Sequence, residues 1–360
     1  MLLERQLTDT SGLADILARY APSHDKDGSF PAEAFAELGR RGLLRTPPLG
    51  DIKELLALLV EIGQGDLNAG RIYEGHVNAV WLVETYGSRQ TREIARKALD
   101  GGGIFGVWNT DLPRNPLELN DNHLQGSKNF ASGVDGLSHA IVTVTRDDAR
   151  HMILAPLDGL PVDRSWWKPV GMRSSGSHVV DFTGLAVEDN FRIGSPNDYI
   201  AQPWFSAGAL RFLAVQTGGV KSVFTIALDH LTKTNRAENP FQAHRIARMA
   251  DAVETALLWL SRCADLWAEA KEQTTPESAA KLLASVNAAR GVVERSALDV
   301  LTFAEQAIGA AGMIAPHPFE RVMRDLRTYL RQPNPDGAAS AFAGAVVAGE
   351  WQPMMLGVTK

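Results

Sequence analysis

One cysteine, Cys263, stands in a chain of 360 residues. A lone thiol excludes a disulfide framework within the chain and a metal cluster built on cysteines. Basic residues are not in excess: 36 Lys and Arg face 42 Asp and Glu, for a formal net charge of −6. That balance argues against a general nucleic-acid binder. No apolar run reaches the length that crosses a bilayer. The opening Met1-Leu2-Leu3-Glu4-Arg5-Gln6 lacks the basic stretch and apolar core of a secretory signal. These absences predict a soluble, cytoplasmic protein without membrane or nucleic-acid partners. The chain also has no internal repeat, no P-loop, no H-E-x-x-H and no G-x-S-x-G elbow. Its nine histidines are scattered without the spacing of metal ligands.

What is present is an ordinary globular composition, 45% hydrophobic and 22% charged, long enough for more than one core. Changes in pattern predict three domains, over residues 1–102, 103–198 and 199–360. The first reads as helices. Phe30-Pro31 opens one, because proline fits a first helical position where its missing N–H costs nothing. Leu55, Leu58, Leu59 and Ile62 give a second apolar face. A further helix is predicted from about Asn68 to Tyr86, and after Gly87-Ser88 a polar helix to Asp100. His76 falls inside the Asn68–Tyr86 segment. It is read either as a buried histidine bonded to a neighbour or as an acid–base group, since imidazole exchanges protons near neutral pH.

Gly101-Gly102-Gly103-Ile104-Phe105-Gly106 satisfies G-x-G-x-x-G literally. A dinucleotide site needs a strand before that motif and a helix after it. Here a helix precedes and a strand-like run follows, so the glycines read as a helix-to-strand turn. From about Ile104 to Ile193 the runs are short, β-prone and separated by Asn/Asp/Gly/Pro turns. Among them Leu124 to Gly133 reads as a turn at Gly126-Ser127 leading into a strand that stops at Ser132-Gly133. This region predicts a small antiparallel barrel or sandwich. Adjacent Trp166 and Trp167, if on a strand, point to opposite faces. Segments 204–235, 241–272 and 277–310 then read as long helices, broken at Pro240, Pro276 and Pro316/Pro318, which predicts an up-down four-helix bundle. The fold class is thus α+β, mainly α. Arg321, Arg324, Arg327 and Arg331 share one helix face, either as a solvated stripe with acidic neighbours or as an anion site.

Several of these segments, in this order, resemble motifs of the acyl-CoA dehydrogenase superfamily. Gly126-Ser127-Lys128-Asn129-Phe130-Ala131-Ser132-Gly133 resembles the family's G-x-K-x-[FW]-[IV]-[TS]-[NS]-G. Gln306-Ala307-Ile308-Gly309-Ala310-Ala311-Gly312 is similar to Q-x-x-G-G-x-G. Arg321-Val322-Met323-Arg324-Asp325 is similar to E-R-x-x-R-D. The resemblance implies a bound flavin, expected as FAD. Trp108, Asn109 and Thr110 would line one side of its ring, and Phe130, Ala131 and Ser132 the other. Arg236, Gln306, Gly309 and Ala310 would meet the pyrophosphate and adenosine, in part on a neighbouring subunit. That implies a homodimer or homotetramer, and electron-transfer flavoprotein as a partner. Arg211 would contact an acyl substrate.

The pattern departs where the family's dehydrogenases keep their catalytic glutamate. Counting nine residues on from Arg324 gives Pro333, and the alternative position holds Leu210 before Arg211. The leading expectation is an FAD-dependent oxidoreductase acting on CH–CH bonds of an acyl thioester or similar activated substrate, with a base outside the usual positions such as Asp336. The alternative is a flavin-dependent monooxygenase of the same fold, with reduced FMN or FAD as co-substrate. That branch also lacks the glutamate and often uses histidines. His76 suits that reading, while Tyr329 and Gln332 stand near where its C-terminal histidines are expected. A third reading is a non-catalytic flavin-binding or scaffold protein.

Overall fold

Five helices come before the first strand in the computed structural model, which describes residues 9–331 and 334–353. They are α1 (Leu13–Asp27), α2 (Ala32–Arg40), α3 (Ile52–Gly65), α4 (Leu67–Tyr86) and α5 (Arg89–Asp100). Side-chain caps set several starts. Asp51 accepts from the amides of Lys53 and Glu54, Asp66 from that of Asn68, and Ser88 from that of Thr91. Helix α4 carries buried residues around most of its circumference, so it is an interior helix.

Among the described residues nine strands follow: β1 (Phe105–Trp108), β2 (Glu118–Asn120), β3 (His123–Gln125), β4 (Ser127–Ala131), β5 (His139–Arg146), β6 (Ala149–Pro156), β7 (Val162–Asp163), β8 (His178–Asp181) and β9 (Arg192–Ile193). They form a sheet in the order β1-β5-β6-β9, a second in the order β4-β8-β7, and the hairpin β2-β3. The pairing is antiparallel except for β1 with β5, which run parallel with Phe105 opposite His139. The excursion through β2, β3 and β4 returns the chain to the end at which β1 began, a connection long enough for a parallel pair. Trp166 and Trp167 do not alternate as expected. They lie outside the strands, stack on one another at 6.0 Å, and both meet the ring of Phe130 edge-on.

The chain returns to helix with the short α6 (Trp204–Ala207), followed by α7 (Ala209–Lys233), α8 (Pro240–Glu272), α9 (Pro276–Ile308), α10 (Pro318–Tyr329) and α11 (Pro335–Val347). Helices α7, α8 and α9 pack on one another, and α7 also packs on α3. Glycine allows that last crossing. A Cβ at Gly63 would stand 2.3 Å from the Val215 carbonyl oxygen, and one at Gly218 would stand 2.3 Å from that of Val60. One continuous apolar core runs from Leu13 through Val142 to Leu330. The arginines after Pro318 each have a carboxylate neighbour, but the stripe is solvated only at Arg327 and Arg331, since Arg321 is buried and Arg324 half-buried. Arg321 pairs with Asp325, Arg324 with Asp25 and Glu320, Arg327 with Glu305, and Arg331 with Glu294. No helix among the described residues is long and apolar enough to cross a membrane.

Candidate active site

Between α4, the exit of β1, β4, the segment 198–212, and helices α9, α10 and α11 lies a cavity of about 750 Å³. That volume is in the range of pockets that hold a cofactor or drug-sized ligand. Its β wall is made of Trp108, Asn109, Thr110 and Phe130. Phe130 has φ of +51°, unusual for a bulky side chain. It sits at an irregularity in the β4–β8 register between Lys128 and Ala131. The two tryptophans hold its ring from behind.

The loop after β1 is fixed by buried charge. Lys128 is fully buried, and its Nζ donates to Asp111 Oδ1 at 2.5 Å and to the Asn109 carbonyl at 3.3 Å. Burial lowers the Lys128 ammonium to about 8. Arg150 donates to the same carbonyl at 2.8 Å and to Asn109 Oδ1 at 2.7 Å, and Thr143 also donates to Asn109 Oδ1. Asn109 and Thr110 are thus held in place before any ligand arrives.

The helical wall carries a polar cluster of which the sequence motifs point only to Arg211 and Tyr329. Arg71 pairs with Glu74, and Asn78 accepts from Arg211 Nη2 at 2.6 Å. Tyr329 is buried, lines the cavity and has no partner for its hydroxyl. Burial raises that phenol well above its ordinary value, so it keeps its proton on Oη. A signal for part of this cluster exists in the sequence. Arg71, Glu74 and Asn78 lie at i, i+3 and i+7 of α4, which places them on one face.

Of the residues expected to meet a flavin or substrate, Trp108, Asn109, Thr110, Phe130 and Arg211 come together on this cavity. Ala131 and Ser132 are buried and do not line it. Ser132 Oγ meets Ser177 Oγ at 2.8 Å, and its carbonyl accepts from Trp108 Nε1 at 3.2 Å. Arg236, Gln306, Gly309 and Ala310 gather where α7 and α9 end, and Arg236 donates to the Ala307 carbonyl. They do not line the cavity. Asp336 is exposed in the first turn of α11 and also falls off its wall. Gln332 and Pro333 lie outside the described residues.

His76 takes the first of its two readings, a buried bonded histidine, and is not the acid–base group expected at the site. Its Nε2–H donates to the Leu44 carbonyl at 2.8 Å, and its Nδ1 accepts from the Phe105 amide at 3.0 Å. Both nitrogens are therefore used, and the ring is a buried cross-link between the Leu44 loop, α4 and β1. Burial pulls it down to about 4. The unfolded chain gains a proton as pH falls through about 6.5 while the folded chain does not, so stability drops on the way down to pH 4. Between pH 7.5 and 5 the expected loss is about 2 kcal/mol. Urea midpoints of the wild type and His76→Gln across that range check it, and an equal slope in both proteins would remove the assignment.

Residues 199–330 match the family described as "Acyl-CoA dehydrogenase, C-terminal domain". The chain is 23% identical over 308 residues to a dibenzothiophene monooxygenase of Rhodococcus erythropolis, covering 75% of this chain and 74% of that protein. Its fold is that of FMN-bound TdsC, a dibenzothiophene monooxygenase of Paenibacillus sp. A11-2. That match has a TM-score of 0.84 at 19% identity and covers 94% and 96% of the two chains. The methanesulfinate monooxygenase MsuC of Pseudomonas fluorescens shares the fold too, with a TM-score of 0.84 at 18% identity over 98% and 99% of the chains.

Proposed function

We propose that this chain, a divergent member of the acyl-CoA dehydrogenase superfamily, is a monooxygenase that takes up reduced flavin, FMN in the first place, and oxygenates a small molecule. One observation carries the choice over α-proton abstraction. The carboxylates lining the cavity, among the described residues, are Glu74 and Asp198. Glu74 is bound to Arg71, and Asp198 accepts from the Ser195 amide at 2.7 Å. Glu74 is thus held in an ion pair and Asp198 is engaged by a backbone amide, and Asp336 does not face the cavity. The order of preference drawn from the sequence, dehydrogenase before monooxygenase, is thereby reversed. The monooxygenases among the relatives support the same reading.

The residues present suit a flavin. The cavity is large enough, Trp108 and Phe130 line its β wall, and Asn109 and Thr110 stand beside them. Bound reduced flavin would supply the two electrons with which one atom of dioxygen enters the substrate and the other leaves as water. The chain's own part is to exclude bulk water, orient the substrate against the β wall, and hold a proton at Tyr329 Oη. A separate supply of reduced flavin replaces electron-transfer flavoprotein as the expected partner. The cluster of Arg236, Gln306, Gly309 and Ala310 is kept as a contact for the distal half of FAD across a homodimer or homotetramer.

The test is an anaerobic titration with photoreduced FMN and FAD, followed by mixing with oxygenated buffer. Reduced FMN is expected to bind at least roughly tenfold more tightly than oxidised FMN, a difference of about 1.4 kcal/mol. Aeration is expected to give a transient absorbance distinct from both redox forms. Arg236→Ala should weaken FAD and leave FMN unchanged. Tightly held oxidised FAD that an acyl-CoA panel reduces would instead restore the dehydrogenase.

A further inference from the structure

Four guanidinium groups reach the cavity wall, those of Arg71, Arg211, Arg290 and Arg331, against the two carboxylates of Glu74 and Asp198. Three are engaged by named partners. Arg71 pairs with Glu74, Arg331 pairs with Glu294, and Arg290 donates to the Asn334 carbonyl at 3.1 Å. Arg211 differs. It is 7% exposed and its Nη2 bonds to the neutral amide of Asn78. Its Nε has no partner, and it forms no ion pair among the described residues. The negative charge of Glu74 lies near enough to be felt but is already matched by Arg71. A buried cation without its own counter-charge is costly, and so is a buried hydroxyl without a bond. Tyr329 supplies that second group on the same cavity, 4% exposed with Oη unpartnered. Glu74 is a neighbour of both groups, and an anionic ligand in this cavity that accepts several hydrogen bonds would relieve both costs.

We propose that Arg211 and Tyr329 form the anion-binding end of the substrate pocket, built for a compact oxyanion, a carboxylate or sulfinate, on a flat apolar body. The guanidinium fork matches two oxygens of such a group, and a phenol O–H adds a third donor. Trp81, Trp204, Phe205 and Phe212 line the same cavity and supply the apolar surroundings for the body. The inference rests on reading this cavity as the place where substrate meets flavin. The rival occupant of Arg211 is the phosphate of the flavin itself.

The experiment uses the full chain without flavin, so its failure is separate from any failure of the reduced-flavin titration. Benzoate and its neutral isostere benzamide are titrated by calorimetry, with melting curves to check that each variant is folded. Benzoate is expected to bind at least roughly tenfold more tightly than benzamide. Arg211→Met should remove that preference, Arg211→Lys should keep part of it, and Tyr329→Phe should weaken benzoate several-fold. Benzenesulfinate is expected to follow benzoate. FMN and riboflavin are then compared in the Arg211→Met protein. Equal binding of benzoate and benzamide by the wild type overturns the proposal. So does a variant that loses affinity for FMN but not for riboflavin while binding benzoate normally, because Arg211 then belongs to the flavin phosphate.

Discussion

Replacing Asp325 by alanine is expected to lower the melting temperature by roughly 4–7 °C, for a loss of about 3–5 kcal/mol. Asp325 is fully buried and joins the three regions of the chain. Its Oδ1 accepts from the Met172 amide at 2.6 Å, in the segment between β7 and β8. Its Oδ2 accepts from Asn68 Nδ2 at 3.2 Å, at the start of α4, and from Arg321 at 3.3 Å on its own helix α10. Alanine would leave a buried guanidinium without its carboxylate and strand two further donors. The neighbouring backbone leaves little room to adjust. A Cβ on Gly171 would stand 2.1 Å from the Arg324 carbonyl oxygen, so the β segment already lies against α10. A shift of under about 1 kcal/mol in the alanine variant would mean that the joint is held elsewhere. Asp325→Asn keeps an acceptor for Met172 and should fall between the two.

The second large effect is expected at Lys128. Lys128→Met should weaken reduced FMN by roughly ten- to a hundredfold while leaving a folded chain. The side chain is apart from the cavity wall, and its effect runs through the loop it holds. Without Nζ, Asp111 loses its buried partner and the Asn109 carbonyl keeps only Arg150. Asn109 and Thr110 would then lose the position that the flavin reading needs. The wild type should show part of the same defect as pH rises through about 8, where the Lys128 ammonium gives up its proton. Fluorescence titration of reduced FMN at pH 7 and pH 9, in both proteins, checks this. A variant that binds within about threefold of the wild type at both values would show that the loop keeps its shape without the lysine.

Much of the architecture was legible before any coordinates. Helices α4 and α5 fall within a residue of the segments read from apolar period and polar starts. Helices α8 and α9 start at Pro240 and Pro276, at the breaks those prolines predicted. These features are local, so the sequence carries them in order. The parallel pairing of β1 with β5 was not legible, because short runs of β-prone residues do not state which strand they join. The stacking of Trp166 on Trp167 was missed for a related reason: alternation holds only on a strand, and that segment is not one.

The sequence by itself determined the helix–strand–helix order, the resemblance to the acyl-CoA dehydrogenases, and four of the six residues expected on the β wall, because each depends on short stretches of neighbouring residues. Only the tertiary structure decided what the helical wall is. Arg71, Asn78, Arg211 and Tyr329 come from α4, α7 and α10, and their meeting depends on how those helices pack. The same packing took His76 out of the chemistry, by placing one backbone carbonyl and one backbone amide against its two nitrogens. Burial and partnership are properties of the assembled core, and they separate a charged residue that holds the fold from one that waits for a ligand.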